Sequence, residues 1–536
     1  MRVVGIRTGF GLHRLAATAA LAAFLAGCAS LPTDYPREPS TALSDTETTT
    51  LGRVIVPESA RHPGLSGFHP LSNGLDAYAA RLAFADAAER SLDVQYYLFH
   101  RDVTGYMLVE RLLRAADRGV RVRVLVDDMD MGGRDAGLAA LDLHPNIHIR
   151  LFNPFPSRSM RTLNFVTHLG TVTRRMHNKS FTIDNQVTIV GGRNVGDEYF
   201  EAAEGTNFGD MDVLAVGPVV REVSQAFDLY WNSPLAVPVS VLAPEGDPDL
   251  LEWQRKALAA ELQKQATSPY ADRLRSSDFV RALERSDLRL YWGQAQLLYD
   301  LPQKVLKDPG DSSTHMGPQL GAFLKQARSE LLIVSPYFVP GDEAVAEMGR
   351  MVQRGVRVRI LTNSLAATDV AAVHAGYARY REALLKAGVE LYEMRPVPST
   401  GSSGDRGKGS RLAGSSRASL HAKTADVDRE RLFVGSANFD PRSDVLNTEM
   451  GIVFDNRELG EAFARWFDED LQKIAYRVEL ERVEDPLTPP GDEYRLVWIE
   501  GRGEQARRLY GPEPEASAWR RAQVWLLSFL PIEGQL

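Results

Sequence analysis

His177-Asn178-Lys179-Ser180-Phe181-Thr182-Ile183-Asp184, followed by Gly191-Gly192-Arg193-Asn194, decides how this chain reads. The arrangement returns as His421-Ala422-Lys423-Thr424-Ala425-Asp426-Val427-Asp428, followed by Gly435-Ser436-Ala437-Asn438. In both copies Lys stands two after His, Asp five after Lys, Gly seven after that Asp, and Asn three after that Gly. The local pattern predicts strand, tight turn, strand. Ser180 to Ile183 is short and partly β-branched, Asp184-Asn185 is a turn pair, and Val187 to Val190 runs into Gly191-Gly192. Residues two apart on a strand point the same way, so His177 and Lys179 share a face, as do His421 and Lys423. One His-x-Lys alone reads as a surface dipeptide at least as well as a site. Two copies matched at five positions do not arise by chance. The chain has 11 His and only 10 Lys among its 62 basic residues, and Lys179 is its first Lys. A chain that prefers Arg yet places Lys at both sites needs Lys there.

A second repeat extends the duplication beyond the motif. Arg118-Gly119-Val120-Arg121-Val122-Arg123-Val124-Leu125 returns as Arg354-Gly355-Val356-Arg357-Val358-Arg359-Ile360-Leu361, with seven of eight positions identical. Before each copy comes a strand with an aromatic end (Gln95-Tyr96-Tyr97 and Ser335-Pro336-Tyr337) and then a helix. Helical spacing over 74–90 and 105–118, with strands over 91–99 and 120–127, makes a strand-helix-strand unit and predicts parallel pairing in an α/β layered domain. The strand arginines are placed on a solvent-facing or half-covered edge rather than in a phosphate-binding stripe, because internal repeats preserve structure first.

His-x-Lys-x4-Asp-x6-Gly-[Gly/Ser]-x-Asn, present twice, resembles the phospholipase D superfamily. The fold class expected is therefore α/β: two similar α/β/α layered domains with one active site at their pseudo-twofold interface. The expected organisation is a leader over 1–27, a disordered tether over 28–60 and a first domain over 61–235. A linker or helical arm over 236–280, a second domain over 281–485 and a C-terminal extension over 486–536 complete it.

Composition sets the bounds. A chain of 536 residues, 44% hydrophobic and 25% charged, is ordinary for a globular protein with two domains. The net charge of −8 gives no basic footprint for nucleic acid. Arg2, Arg7 and Arg14 precede an apolar run from Leu15 to Ala26 that is too short to span a bilayer. Leu25-Ala26-Gly27-Cys28 resembles a bacterial lipobox, and Cys28 is the only Cys. On that reading Cys28 carries the lipid anchor and no thiol remains for a disulfide or metal site. Ala29 to about Thr50, rich in Pro, Ser, Thr and acidic residues, reads as a tether on the periplasmic side of the cell envelope, with the outer membrane favoured. Ser399 to Ser419 reads as a flexible loop, a substrate lid or an inconsequential insertion. Asp300-Leu301-Pro302-Gln303-Lys304 is similar to a segment of one cardiolipin synthase branch, and a helix-start turn explains it as well. The apolar run from Trp519 to Leu530 most simply packs on the second domain.

Phosphodiester cleavage without a metal needs a nucleophile, an acid for the leaving oxygen and positive charge at the phosphoryl oxygens. Two His-x-Lys copies supply all of these. Lys179 and Lys423 would clamp the developing charge, and Asn194 and Asn438 could donate to the same oxygens. The residues alone leave open which histidine attacks; the resemblance implies His177 as nucleophile and His421 as acid and base. It also places Glu449 behind His421 and leaves Asp210 or Asp212 behind His177, with Asp210 favoured. Asp184 and Asp428 belong to the motif and are expected to shape the hairpin turn. No residue cluster has metal-ligand spacing, and no cofactor is expected.

The flanks of the first motif, Arg175-Met176-His177-Asn178-Lys179 with Gly192-Arg193-Asn194-Val195-Gly196-Asp197-Glu198-Tyr199-Phe200, resemble the cardiolipin synthase C type. That implies transfer of a phosphatidyl group onto phosphatidylglycerol, with phosphatidylethanolamine a candidate donor, at a membrane surface; the duplicated motif, by which one chain completes one site, points to a monomer. A hydrolytic phospholipase D, another phosphodiesterase or nuclease, and an inactive envelope-binding lipoprotein are the alternatives. A helper protein is left open.

Overall fold

The computed structural model describes the chain apart from residues 1–30, 33, 204, 206, 244–245, 399–416, 484–493, 531–533 and 535–536. The leader over 1–27, the anchor residue Cys28 and most of the Ser399–Ser419 loop lie outside the described residues.

The Arg-Gly-Val repeat marks the same event twice. The helix Val103–Asp117 buries Met107, Leu108, Leu112 and Ala115 on one side, and Asp102 caps its start by accepting from the Gly105 amide. Gly119 then takes a φ of 93°, and Gly355 takes 91° after the helix Gly341–Gln353. That left-handed conformation is cheap only for glycine and releases the chain into the next strand.

Each half builds one sheet on the same plan. In the first, the parallel strands Ser91–Tyr96, Arg121–Asp127 and Ile147–Phe152 are neighbours. The first of these pairs antiparallel with Ser180–Ile183, which continues through Val187–Gly191 and Asp212–Val216 to Ser66–Leu71. In the second, Glu330–Val334, Arg357–Asn363 and Glu390–Met394 are parallel, and the antiparallel side runs Thr424–Val427, Arg431–Gly435, Met450–Asp455 and Ala295–Tyr299. Strand for strand the order is the same, so the duplicated α/β fold expected from the repeats is the one observed. Each half has its own apolar core, and a third cluster joins them, with Phe68 stacked on Phe454 at 4.2 Å between ring centres. The arm helices Pro248–Gln265, Pro269–Arg275 and Asp278–Glu284 lie on the first half and send Leu258, Leu274 and Phe279 into its core. Among the described residues no helix is long and apolar enough to cross a membrane.

Two expectations are corrected here. Arg121 is half-buried and Arg357 exposed, as expected, but Arg123 and Arg359 are not on a solvent-facing or half-covered edge; both are fully buried, on strands flanked on each side. Arg123 pairs with Asp93 at 2.6 Å and with Asp228 at 2.8 Å; Arg359 pairs with Glu330 at 2.6 Å and with Asp468 at 2.7 Å. A buried guanidinium persists because its partners compensate its desolvation, and those partners are remote in sequence. The segment 28–60 is also not a tether throughout. Among its described residues, Arg123 donates to the Ser40 carbonyl, Asp228 accepts from the Ala42 amide, and Gln186 donates to the Thr46 hydroxyl. Thr49 then caps the helix Thr50–Ala60 by accepting from the Gly52 amide. A polar, Ser/Thr-rich stretch reads as disordered only until a charged surface is there to take its backbone groups.

Candidate active site

Both motif hairpins turn where the sequence puts an acid. Asp184 and Asn185 sit at φ 48° and 50°, Asp428 and Arg429 at 60° each, a pair of left-handed residues that matches the twist of flanking strands. The Asp184 carboxylate accepts from the amides of Glu89, Arg90 and Ser91; Asp428 accepts from those of Arg328, Ser329 and Glu330. These acids tie each hairpin to the start of the neighbouring strand and face away from the histidines.

The chain just before each hairpin crosses to the other half. The His177 amide donates to the Thr448 carbonyl at 2.8 Å, and the Thr448 amide donates to Arg175 at 2.9 Å. The strand Arg417–Leu420 runs parallel to Asn207–Gly209, and the His421 amide donates to the Gly209 carbonyl at 2.8 Å. Each histidine is therefore laid beside the segment that ends, one residue later, in a carboxylate of the opposite half: Glu449 after Thr448, and Asp210 after Gly209.

The pairing follows, and it reverses the sequence assignment. His177 Nδ1 meets Glu449 at 2.9 and 3.0 Å, and His421 Nδ1 meets Asp210 at 2.6 Å. Glu449 does not serve His421, and neither Asp210 nor Asp212 serves His177. Asp212 is taken by Arg81 at 2.8 Å and by Arg193. With Nδ1 engaged on both rings, Nε2 is the atom each offers to a reacting group.

Both histidines are about nine-tenths buried and edged by aromatics. Tyr97 packs edge-on against His177 at 5.0 Å and Tyr199 against His421 at 5.2 Å. Lys179 donates to the His177 carbonyl at 2.5 Å, and Lys423 donates to the His421 carbonyl. Burial pushes both ammoniums down, Lys179 well below the lysine range and Lys423 to about 8, although Glu449 and Asp210 pull the other way.

The two histidines are not equivalent. Burial and the lysine charges hold His177 well below the usual histidine value. Burial and Lys423 lower His421 too, but Asp210 opposes them. Burial raises the Asp210 carboxyl, yet His421, Lys423 and Arg193 outweigh it and keep the group ionised. Burial drives Glu449 to about 7 against Lys179 and the hydroxyls of Ser436 and Ser443. The histidine beside the half-neutral acid is the better neutral base, and the one beside the ionised acid is the better proton carrier.

Sequence reasoning found the motif but missed its supports. Ser436 and Ser443 donate to the two Glu449 oxygens at 2.5 and 2.9 Å. The equivalent of Ser436 is Gly192, where a Cβ would overlap the Asp210 carboxylate. The shorter acid stands against glycine and the longer one against serine. Behind Glu449 lies the Asp-x-Pro-x-Lys segment. Asp300 accepts from the Glu449 amide at 2.7 Å, and Lys304 donates to Asp300 at 3.0 Å and to the Ser443 carbonyl at 2.9 Å, with neither side chain exposed. The four-residue spacing was visible; its partner, more than a hundred residues on, was not. Asn194 is committed to scaffolding, accepting from the Leu98 amide and donating to the Tyr199 hydroxyl. Asn438 Oδ1 is buried without a hydrogen-bond partner.

Among the described residues, His100, Asp102 and Glu198 come close enough to share an ion. His100 already meets Glu198 at 3.2 Å and Asp102 caps a helix, so these groups serve the scaffold, and none belongs to the motifs. An apolar cavity of about 540 Å³ under the arm helix Pro248–Gln265, lined by Leu112, Leu138, Ile149 and Leu258, also excludes every motif residue.

The family model described as cardiolipin synthase, PLD-like domain, matches this chain twice, over residues 82–231 and 320–471. This chain belongs to that family. The two matched stretches hold most strands of the two sheets, and each carries one His-x-Lys motif. Over 496 residues the chain is 43% identical to cardiolipin synthase C of Escherichia coli (strain K12), covering 91% of this chain and 99% of that protein. It is 25% identical over 392 residues to cardiolipin synthase B of the same strain, covering 73% and 77%. Phosphatidylserine synthase of Haemophilus influenzae Rd KW20 shares the fold, with a TM-score of 0.51 at 13% identity over 79% of this chain and 92% of that one. The chain is thus a phospholipase D-family enzyme with both halves of its site present.

Proposed function

We propose that this enzyme is a phosphatidyl transferase of cardiolipin synthase type, working through a covalent intermediate on His177. The observation that carries the reading is the crossed pairing, which sets two buried histidines of unequal basicity, each with a lysine, into one site built from both halves. The family and the 43% identity to a cardiolipin synthase support the substrate class.

In the first step His177 Nε2 attacks phosphorus. An N–P bond forms, the P–O bond to the headgroup of the donor phospholipid breaks, and protonated His421 gives its Nε2 proton to the departing oxygen. In the second step His421 removes the proton from a hydroxyl of phosphatidylglycerol. That oxygen attacks phosphorus, the N–P bond breaks, and His177 returns to its neutral form. Lys179 and Lys423 stand against the charge on the phosphoryl oxygens in both steps. An anionic phosphodiester suits this site because its charge favours the ammonium forms of Lys179 and Lys423, which burial disfavours. Attachment through Cys28 on the periplasmic side of the envelope would bring this site to its substrate.

The test uses labelled phosphatidylglycerol with the detergent-solubilised enzyme, with and without phosphatidylethanolamine. Cardiolipin is the expected product, and a dependence on phosphatidylethanolamine names the donor. Phosphatidic acid alone would replace the transferase with a hydrolase, and full activity in His177→Ala or His421→Ala would end the mechanism.

A further inference from the structure

The C-terminal helix Ala518–Leu527 carries its wider apolar stripe on the outside. At 3.6 residues per turn, Trp519, Ala522, Trp525, Leu526, Phe529 and Leu530 fall on one side, an arc of about 140°. All of them are exposed, the large ones between 44 and 71%. Arg520, Val524, Leu527 and Ser528 fall on the side that meets the protein, and Val524 packs on Leu365, Ala366 and Ala516. Arg520 donates to the Leu365 carbonyl at 2.8 Å, Arg521 to that of Ala516 at 2.6 Å, and Arg379 fixes the helix end through the Ser528 carbonyl. A surface helix normally turns its apolar stripe inward; here only the narrow face of Val524 and Leu527 does so, beside Arg520, and the wider stripe with every aromatic faces out.

Its position says what that stripe meets. Leu365 follows the strand Arg357–Asn363, and Asn363 exchanges two hydrogen bonds with the backbone of Leu420, the residue before His421. The first half repeats the arrangement. Asp127, at the end of Arg121–Asp127, accepts from the Met176 amide beside His177, and Arg161 donates to the Asp128 and Met129 carbonyls. The helix Arg161–Thr167 carries exposed Phe165, and exposed Met160 precedes it. Both halves therefore pin an apolar element, through one arginine, to the turn beside a reactive histidine. The apolar elements flank a single rim.

We propose that this rim, led by Trp519, Trp525, Leu526 and Phe529, is a docking surface for a phospholipid bilayer. The proposal rests on the lipid-transferase reading, since the rim borders the site assigned to a lipid phosphodiester. Trp with Leu and Phe beside it suits the bilayer interface, where amphipathic rings settle at headgroup depth. A second copy of the chain is a poor occupant. Standard interfaces use about 20–30 residues a side, and this helix offers five large apolar side chains.

The test compares the chain lacking residues 1–30, which keeps every described residue and removes Cys28, with its W525S/F529S variant. Both changes lie on exposed positions outside the catalytic groups. Vesicles of phosphatidylglycerol and phosphatidylethanolamine are sedimented with each protein, tryptophan emission is followed on vesicle addition, and sedimentation velocity gives the oligomeric state. The unchanged chain should bind vesicles with a blue shift. The variant should partition about tenfold less or worse, lose most of the shift, and turn over a short-chain, water-soluble phosphatidyl substrate at the unchanged rate. Equal vesicle binding by both proteins, or a dimer that the variant dissociates, would overturn the proposal. Vesicle binding that depends on Trp525 and Phe529 without lipid turnover would instead overturn the transferase reading and leave the docking surface standing.

Discussion

Glu449→Gln and Asp210→Asn should fail in different ways, because the structure gives the two acids to different histidines. Glu449 sits at 2.9 and 3.0 Å from His177 Nδ1 with no exposed surface, and Asp210 at 2.6 Å from His421 Nδ1. An amide in either place keeps the size and loses the charge that orients the ring and steadies its protonated form. General acid–base help is worth about 10²–10⁴-fold, or roughly 3–5 kcal/mol at 1.36 kcal/mol per decade. The assay is single-turnover release of two leaving groups from otherwise identical phosphatidyl substrates: an alkanol, which must be protonated as it departs, and p-nitrophenolate, which need not be. D210N should lose about 10²-fold or more with the alkanol and be nearly normal with p-nitrophenolate. E449Q, which cripples the nucleophile, should lose a similar factor with both. If D210N fails equally on both substrates while E449Q is spared by the good leaving group, the crossed pairing does not operate in catalysis.

The pKa of Lys423, depressed to about 8 by burial, places the neutral amine in excess above that pH. Its clamp needs the ammonium, as does that of Lys179, which burial also depresses, so kcat/KM should fall on the alkaline side by about pH 8; the profile of K179R/K423R, which keeps both charges, should lack that limb. Gly192→Ala drives a methyl into the Asp210 carboxylate and should cost about 1–3 kcal/mol, read as a drop in thermal midpoint, while Ser436→Ala fits its space and should lower turnover through Glu449. Asp300→Ala strands the buried Lys304 ammonium and should destabilise by about 3–5 kcal/mol; a chemical denaturation curve in which D300A/K304M recovers most of that loss is the expected pattern.

The sequence by itself determined the duplication, the α/β plan and the motif residues, because each is written in local spacing. Strand period, the acid at each hairpin turn and the glycine ending each helix act within a few residues of one another. Tertiary structure decided everything that depends on two distant segments meeting. Glu449 reaches His177 across 272 residues and Asp210 reaches His421 across 211. The exchange happens because each histidine arm hydrogen-bonds to the backbone just ahead of the other half's acid, which motif spacing does not encode. The same reason hid the burial of Arg123 and Arg359, whose acidic partners include Asp228 and Asp468 on later helices. It also hid the anchoring of residues 38–60 and the outward face of the C-terminal helix. An apolar stripe read from sequence has a period but no direction, and the seating of Val524 together with the Arg520 and Arg379 contacts of the folded chain turns it outward.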